Sequence, residues 1–189
     1  MNRMLWIALP TLALAGCNRA APPPVENAAL DNSAETNAAA SAPVPVTDAA
    51  TYLTKAGAGD LFEIESSRAI ADKTGNAGIK AFAQMMITDH GKSTARLKAA
   101  AREAGLTAPT PSLDPAQQQT LDAIRNATGT AADSAYLDAQ RTGHSEALAL
   151  HSGYAVGGDT EPLKKAANEI APVVQHHIDQ LARLTVTAQ

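Results

Sequence analysis

Residues 52–102 decide the fold, and they read YLTKAGAGDLFEIESSRAIADKTGNAGIKAFAQMMITDHGKSTARLKAAAR. Apolar and small residues recur in this stretch at intervals of three and four, which is the spacing of a buried helix face. The run Gly75–Gly78 interrupts the pattern with two glycines and an asparagine, which favour a turn. We therefore predict two long helices, over about residues 48–74 and 78–104, that fold back on each other at this run.

Two polar residues lie at equal distances from this predicted turn. Glu63 precedes the middle of the turn, between Asn76 and Ala77, by 13.5 residues, and His90 follows the same point by 13.5 residues. A helix rises about 1.5 Å per residue, so both side chains are expected roughly 20 Å from the turn. The spacing predicts that the carboxylate and the imidazole lie at one level of the helix pair.

The remainder of the chain continues the helical pattern. Asp114 followed by Pro115 is typical of a helix start and predicts a short helix to about residue 127. Two further long helices are predicted over about residues 131–156 and 161–186, on either side of the turn at Gly157–Asp159. No segment shows the alternation of a strand. The predicted fold class is all-α, a four-helix bundle with a short extra helix in the connection between the second and third long helices.

One polar residue lies on the apolar stripe of each long helix: Glu63 on the first, then His90, His144 and His177. Each of the four is within about one turn of the middle of its helix, so all are expected near the centre of the bundle. One carboxylate and three imidazoles are suitable ligands for a single transition-metal ion such as Zn, Fe or Cu. We therefore predict a metal site made of Glu63, His90, His144 and His177.

Other interpretations stay open. A Glu63–His90 hydrogen bond would satisfy both buried groups without a metal, and the protein would then be a structural or interaction lipoprotein that engages another envelope protein. An enzyme is a third hypothesis, because a metal with an open position activates water. Of the nearby polar residues, Asp89 is expected to be a surface charge, His151 a packed or rim residue, and His176 a residue on the flank of its helix.

The amino terminus carries a targeting pattern. Arg3 precedes an apolar run over residues 5–14 that is too short to span a bilayer, so residues 1–16 are predicted to be a signal peptide. Residues Leu14–Cys17 look like the lipobox of bacterial lipoproteins, which implies cleavage before Cys17 and acylation of that residue. Asn18, where an Asp would favour the inner membrane, points to the outer membrane. The expected location is the cell envelope, with the protein held to the membrane by lipid and facing the periplasm.

Composition separates a tether from a domain. Residues 17–47 are mostly Ala, Pro and small polar residues and cannot bury enough surface to offset the entropy of folding, so we predict a flexible tether. Residues 48–187 are then the helical domain. Without Arg3 the chain has 14 basic and 19 acidic residues, a net charge of 14 − 19 = −5, which argues against a nucleic-acid partner. Cys17 is the single cysteine, so no disulfide is expected.

Several of these segments carry a family resemblance: Phe62–Glu65, Ile79–Ala83 followed by Met86–His90, Tyr136 and Leu137 with His144, and Pro172 followed by His177. Together they resemble DUF4142, a ferritin-like family of exported bacterial proteins of unknown function. The resemblance implies a ferritin-like four-helix fold and a periplasmic setting, and it implies no reaction. No Glu-x-x-His sequence occurs in the chain, so the di-iron centre of true ferritins is not expected.

Overall fold

The computed structural model describes residues 45–186, and these form five helices without a strand among them. The helices are α1 (Ala49–Ala71), α2 (Ala77–Glu103), α3 (Pro115–Asn126), α4 (Gly129–Gly157) and α5 (Glu161–Leu181). The predicted all-α bundle of four long helices, with a short extra helix between the second and third, is confirmed. The predicted signal peptide, the lipidation site Cys17 and residues 17–44 of the tether lie outside the described residues.

The first helical hairpin turns earlier than the sequence pattern indicates. Asn76 caps α2 by accepting hydrogen bonds from the backbone N–H groups of Gly78 (2.9 Å) and Ile79 (3.2 Å). This cap sets the start of α2 at Ala77, and α1 ends at Ala71. The midpoint of the connection is therefore residue 74 and not the predicted point between residues 76 and 77. This shift changes which residue of α1 lies opposite His90.

The connection between α2 and α4 crosses the bundle from one end to the other. Asp114 and Gln117 form a reciprocal capping box at the start of α3, and Pro115 occupies its first turn. At the other end of α3 the Nζ atom of Lys73 donates to the carbonyl oxygens of Ile124 (3.3 Å) and Ala127 (3.2 Å), which binds the helix end to the end of α1. α3 therefore packs against α1 and α4.

The four long helices form a ring in which α1 contacts α2 and α4, and α5 also contacts α2 and α4. Their apolar side chains form two clusters, one toward each end of the ring. One cluster includes Tyr52, Leu97, Tyr154, Leu163 and Val174, and the other includes Ile70, Phe82, Met86, Tyr136 and Leu181. Six of the buried polar residues, with at least one on every long helix, lie at the junction between these clusters: Asp60, Glu63, His90, Gln140, His144 and His177. The bundle therefore contains a polar layer enclosed by two apolar layers.

Within residues 45–186, none of the helices combines the length and the apolar character that a membrane-spanning helix requires.

Candidate metal centre

Three histidines from three helices converge in the polar layer. His90 lies on α2, His144 on α4 and His177 on α5, and each is at most 5% exposed. Their ring centroids are 5.6, 5.5 and 5.3 Å apart, which makes a nearly equilateral triangle. One nitrogen from each ring lies within 4.8 Å of the other two. The predicted convergence of the three imidazoles is thus present in the structure.

The tautomer of His144 follows from its hydrogen bond. Its Nδ1 atom lies 2.9 Å from the backbone carbonyl oxygen of Gln140, one turn earlier on α4. A carbonyl oxygen only accepts hydrogen bonds, so Nδ1 carries the proton and donates it. In the neutral ring the Nε2 atom then has a free lone pair, which points toward His177.

His177 has the opposite tautomer. Its Nε2 atom lies 3.3 Å from Oδ2 of Asp89, a carboxylate that also accepts from Lys92. Burial acts to raise the pKa of Asp89, but the hydrogen bonds from Lys92 and His177 outweigh it and lower the pKa, so Asp89 is ionised. The Nε2 atom of His177 is therefore the donor, and its Nδ1 atom presents a lone pair to His144.

His90 completes the set. Its Nδ1 atom lies 2.8 Å from Oδ1 of Asp60, whose other oxygen accepts from the hydroxyl of Thr94 at 2.9 Å. The Nε2 atom of His90 is buried and has no hydrogen-bond partner within the described part of the chain. Buried polar atoms are nearly always paired, so an unpaired ring nitrogen at the centre of a protein requires a specific explanation.

The spacing of two of the three converging nitrogens matches that of ligands on one metal ion. The Nε2 atom of His144 and the Nδ1 atom of His177 are 3.3 Å apart. A tetrahedral Zn²⁺ with Zn–N bonds of about 2.0–2.1 Å separates its ligand nitrogens by about 3.3–3.4 Å. Each ligand ring is also held through its other nitrogen by a carboxylate or a carbonyl oxygen, which is the usual arrangement behind metal-binding histidines.

The electrostatics keep two of the three rings neutral. Burial, together with the charges of His90 and His177, lowers the pKa of His144 to about 3. Burial and the charge of His90 lower the pKa of His177 to about 4, against the opposing effect of Asp89. Burial also acts to lower the pKa of His90, but the hydrogen bond to Asp60 and the nearby carboxylate charges outweigh it and raise the pKa. At neutral pH, His144 and His177 are therefore in the unprotonated form that binds metals.

Glu63 lies beside the cluster rather than among its converging atoms. Its Oε1 atom is 3.6 Å from Nδ1 of His144, the nitrogen that faces away from the other rings, and its Oε2 atom accepts a hydrogen bond from the side chain of Gln140. Burial raises the pKa of Glu63 to about 7, against the lowering effects of His90 and Gln140. The carboxylate fits because residue 143 is glycine: a Cβ atom there would lie 2.9 Å from Oε1 of Glu63.

One alternative that the sequence left open and one expectation about the neighbouring polar groups are wrong. Glu63 is not hydrogen-bonded to His90, because the hairpin turns earlier than predicted and Asp60 lies opposite His90 instead. Counted from residue 74, the midpoint of the connection, His90 is 16 residues away, Asp60 is 14 and Glu63 is 11. Asp60 is therefore closer than Glu63 to the level of His90. Asp89 is not only a surface charge, because its side chain is 23% exposed and one of its oxygens accepts from His177.

The two remaining histidines in the described residues lie where the sequence predicts. His151 is packed in the core, and its Nδ1 atom forms a 2.9 Å hydrogen bond with the hydroxyl of Tyr52. His176 is exposed on the flank of α5.

Sequence reasoning missed Asp60, and the signal for it was present. Asp60 follows Ala56 by four residues and precedes Glu63 by three, so the spacing that selects Glu63 also selects Asp60. The structure confirms that Asp60 is inward, because it is 4% exposed whereas the preceding Gly59 is only partly buried. Asp60 was therefore a candidate residue of the metal centre on the same grounds as Glu63.

A family model supplies the relationship to known proteins. The model of DUF4142, a domain of unknown function, matches residues 33–184. The chain belongs to the DUF4142 family. A solved structure similar to this DUF4142 domain is the crystal structure of a DUF305 fragment from Deinococcus radiodurans, with a TM-score of 0.62, 11% sequence identity and coverage of 75% of this chain and 100% of that fragment. At that identity the likeness supports the helical fold alone. No curated protein matches the chain.

Proposed function

We propose that this DUF4142 protein is an envelope-anchored lipoprotein that binds one transition-metal ion in the core of its helical bundle. The observation that carries the proposal is the convergence of three buried ring nitrogens, one of which, Nε2 of His90, has no hydrogen-bond partner within residues 45–186. A metal ion accepts all three lone pairs at once, whereas a hydrogen-bond network needs a proton between each pair of nitrogens.

The proposed ligands are Nε2 of His90, Nε2 of His144 and Nδ1 of His177. Glu63 belongs to the proposed site as a buried carboxylate against His144, where its charge favours a cation. Three protein ligands leave a fourth position on a tetrahedral ion for water or a small anion. Of the four predicted ligands, the three histidines are thus proposed as ligands, and Glu63 is proposed as a neighbour of the site.

The surrounding carboxylates match the charge of a divalent ion. Asp60 and Asp89 accept hydrogen bonds from two of the three ligand rings, and each carries one negative charge when ionised. Two such charges directly behind neutral imidazoles compensate a 2+ ion that would otherwise be expensive to bury. Imidazole nitrogens suit Zn, Cu and Fe, which are the ions that we propose.

Metal buffering or protection of the envelope against metal stress is the role that this arrangement favours. The ligand rings are 1–5% exposed, so a bound ion is enclosed by the bundle. The proposed location follows from the sequence: the lipobox resemblance at Leu14–Cys17 supports a membrane anchor, and Asn18 favours the outer membrane. Attachment through a tether would place the binding domain in the periplasm, where incoming metal ions first meet the cell.

Metal analysis of the purified protein tests the proposal. The protein is prepared without a histidine tag, stripped with a chelator, dialysed against Zn²⁺ or Co²⁺, and its metal content is measured. We expect about one ion per chain. The variants His144→Gln and His177→Gln should fall well below this ratio, whereas His151→Gln, which removes a buried histidine outside the cluster, should keep it.

A ratio near zero in the wild-type protein would reject metal binding. It would support the alternative, in which the three histidines are structural residues of an envelope lipoprotein that interacts with another protein. That alternative is favoured by the hydrogen bond that each ring makes through its outer nitrogen.

A further inference from the structure

A groove runs along the surface beside the three-histidine cluster. It lies between α2 and α5 and has a volume of about 450 Å³. The residues of its wall that matter here are Asp89, Lys92 and Ser93 on α2, and Glu169, Pro172 and His176 on α5. Among these, Asp89 is the residue that also touches the cluster.

Asp89 joins the groove to the buried site. Its Oδ2 atom accepts from the ligand ring of His177 at 3.3 Å, and its Oδ1 atom accepts from Nζ of Lys92 at 2.8 Å. The Asp89 side chain is 23% exposed, while the Lys92 side chain is 70% exposed. One carboxylate therefore contacts a metal-ligand candidate on its inner side and an exposed lysine on its outer side.

The groove also carries polar atoms that have no protein partner or that face solvent. Ser93 is 8% exposed, and its hydroxyl oxygen is buried without a hydrogen-bond partner within the described residues. The exposed ring of His176 lies 6.4 Å from the ring of His177, centroid to centroid. The imidazole of His176 and the carboxylate of Asp89 along this groove can replace waters in the shell of a cation.

Helix α5, which forms one wall of the groove, lacks one of its backbone hydrogen bonds. Pro172 lies inside α5 and has no backbone N–H, so the carbonyl group of Asn168 lacks its helical hydrogen bond. A helix without this bond opens locally at lower cost than a continuous helix, and α5 carries the ligand His177 five residues later.

We propose that this groove is the route by which a hydrated divalent cation reaches and leaves the three-histidine site, with Asp89 and His176 as the first residues to hold it. The inference rests on the proposed function. Lys92 opposes the passage, because its charge repels the incoming ion and its ammonium group occupies the outer oxygen of Asp89.

Binding kinetics test the route separately from the site. Stopped-flow mixing of the chelator-stripped protein with Co²⁺ follows the visible absorbance that Co²⁺ gains on leaving octahedral water coordination, and release is followed with an excess of chelator. Lys92→Gln should raise the association rate about threefold or more. His176→Gln should lower both the association and dissociation rates by a similar factor, with the equilibrium dissociation constant unchanged within about twofold.

Arg141→Gln is the matched control. Arg141 pairs with Asp138 at 2.8 Å, three residues apart on α4, as Lys92 pairs with Asp89 on α2. The Arg141→Gln substitution removes one positive charge, as Lys92→Gln does, at a position outside the groove. The Co²⁺ association rate of this variant should therefore stay at the wild-type value.

The outcomes separate the two proposals. Stoichiometric Co²⁺ binding with equal rates in the wild type, Lys92→Gln and His176→Gln would overturn the route and leave the metal site standing. Equal acceleration in Lys92→Gln and Arg141→Gln would also overturn it, because the effect would then come from net charge. Absence of Co²⁺ binding in the wild type would reject the metal site and the route together.

Discussion

The Nε2 atom of His144 and the Nδ1 atom of His177 face each other at 3.3 Å, although each ring already donates its proton elsewhere. His144 donates to a backbone carbonyl and His177 to Asp89, so two lone pairs point at one another in the core. Such a pair is unfavourable unless a proton or a cation lies between the nitrogens. The relationship makes the polar layer of this bundle a site that favours the binding of a positive charge.

Bound metal should stabilise the fold. At a free Zn²⁺ concentration about a hundred times the dissociation constant, binding to the native state alone adds about 2.7 kcal/mol. For a domain of this size the melting temperature should then rise by roughly 10 °C. Thermal unfolding followed by circular dichroism, with Zn²⁺ and with a chelator, measures the shift. His144→Gln should melt at the same temperature in both conditions, and a Zn²⁺ shift that survives in this variant would contradict the assigned ligands.

Asp60→Asn should weaken metal binding although Asp60 is not a ligand. Asp60 accepts from Nδ1 of His90, and a neutral amide holds the ring less firmly and supplies no negative charge behind it. We expect the affinity for Zn²⁺ to fall by about 10–100-fold, measured by competition with a chromophoric chelator. Asp138→Asn, which removes an exposed carboxylate on α4, should have the wild-type affinity. Equal affinities in the two variants would exclude a role for Asp60.

Replacement of two glycines of α4 by alanine should change the stability of the protein in opposite directions. At Gly143 an added Cβ atom would lie 2.9 Å from Oε1 of Glu63, so Gly143→Ala must displace a buried carboxylate and should destabilise the protein by about 1–3 kcal/mol. At Gly153 a Cβ atom meets nothing within 4 Å, so Gly153→Ala should stabilise the protein by about 0.5–1 kcal/mol through helix propensity. Urea unfolding measures both. A stabilising Gly143→Ala would show that Glu63 is free to move.

The metal-free protein should lose stability as the pH falls from about 6.5 to 4.5. Burial is the first cause that lowers the pKa of His144 to about 3 and of His151 and His177 to about 4, all below the ordinary 6.5. In this window the unfolded chain therefore binds three protons that the native state does not. Glu63 acts in the opposite direction, because burial raises its pKa to about 7 and the native state takes up its proton first.

Three protons less one leaves a net uptake of two on unfolding, which corresponds to about 2.7 kcal/mol per pH unit. The raised pKa of His90 leaves that ring protonated in both states over most of the window. Urea unfolding in the presence of chelator, at intervals of half a pH unit, measures the slope. His151→Gln keeps an acceptor for Tyr52 and should halve the slope, from two protons to one. An unchanged slope in this variant would contradict the buried, neutral state of His151.

Much of the candidate site could be predicted because helix geometry is regular. His90, His144 and His177 lie near the middle of three long apolar stripes, and side chains at the middle of bundled helices meet whatever the direction of the connections. The partners of these rings were harder to predict. A change of 2.5 residues in the midpoint of the first hairpin, which follows from the end of α1 at Ala71 and the start of α2 at Ala77, exchanged Glu63 for Asp60 as the partner of His90.

The sequence by itself determined the all-α bundle, the order of its helices, the family, and the three histidines at its centre, because the periodicity of apolar residues and the helix rise are local properties of the chain. Only the tertiary structure decided which ring nitrogen carries a proton, which carboxylate stands behind each ring, and that Glu63 lies at the edge of the cluster. These depend on differences of a few tenths of an ångström in the distances between side chains far apart in sequence, such as Asp89 and His177. No spacing rule along one helix contains that information, because it arises when the four helices pack.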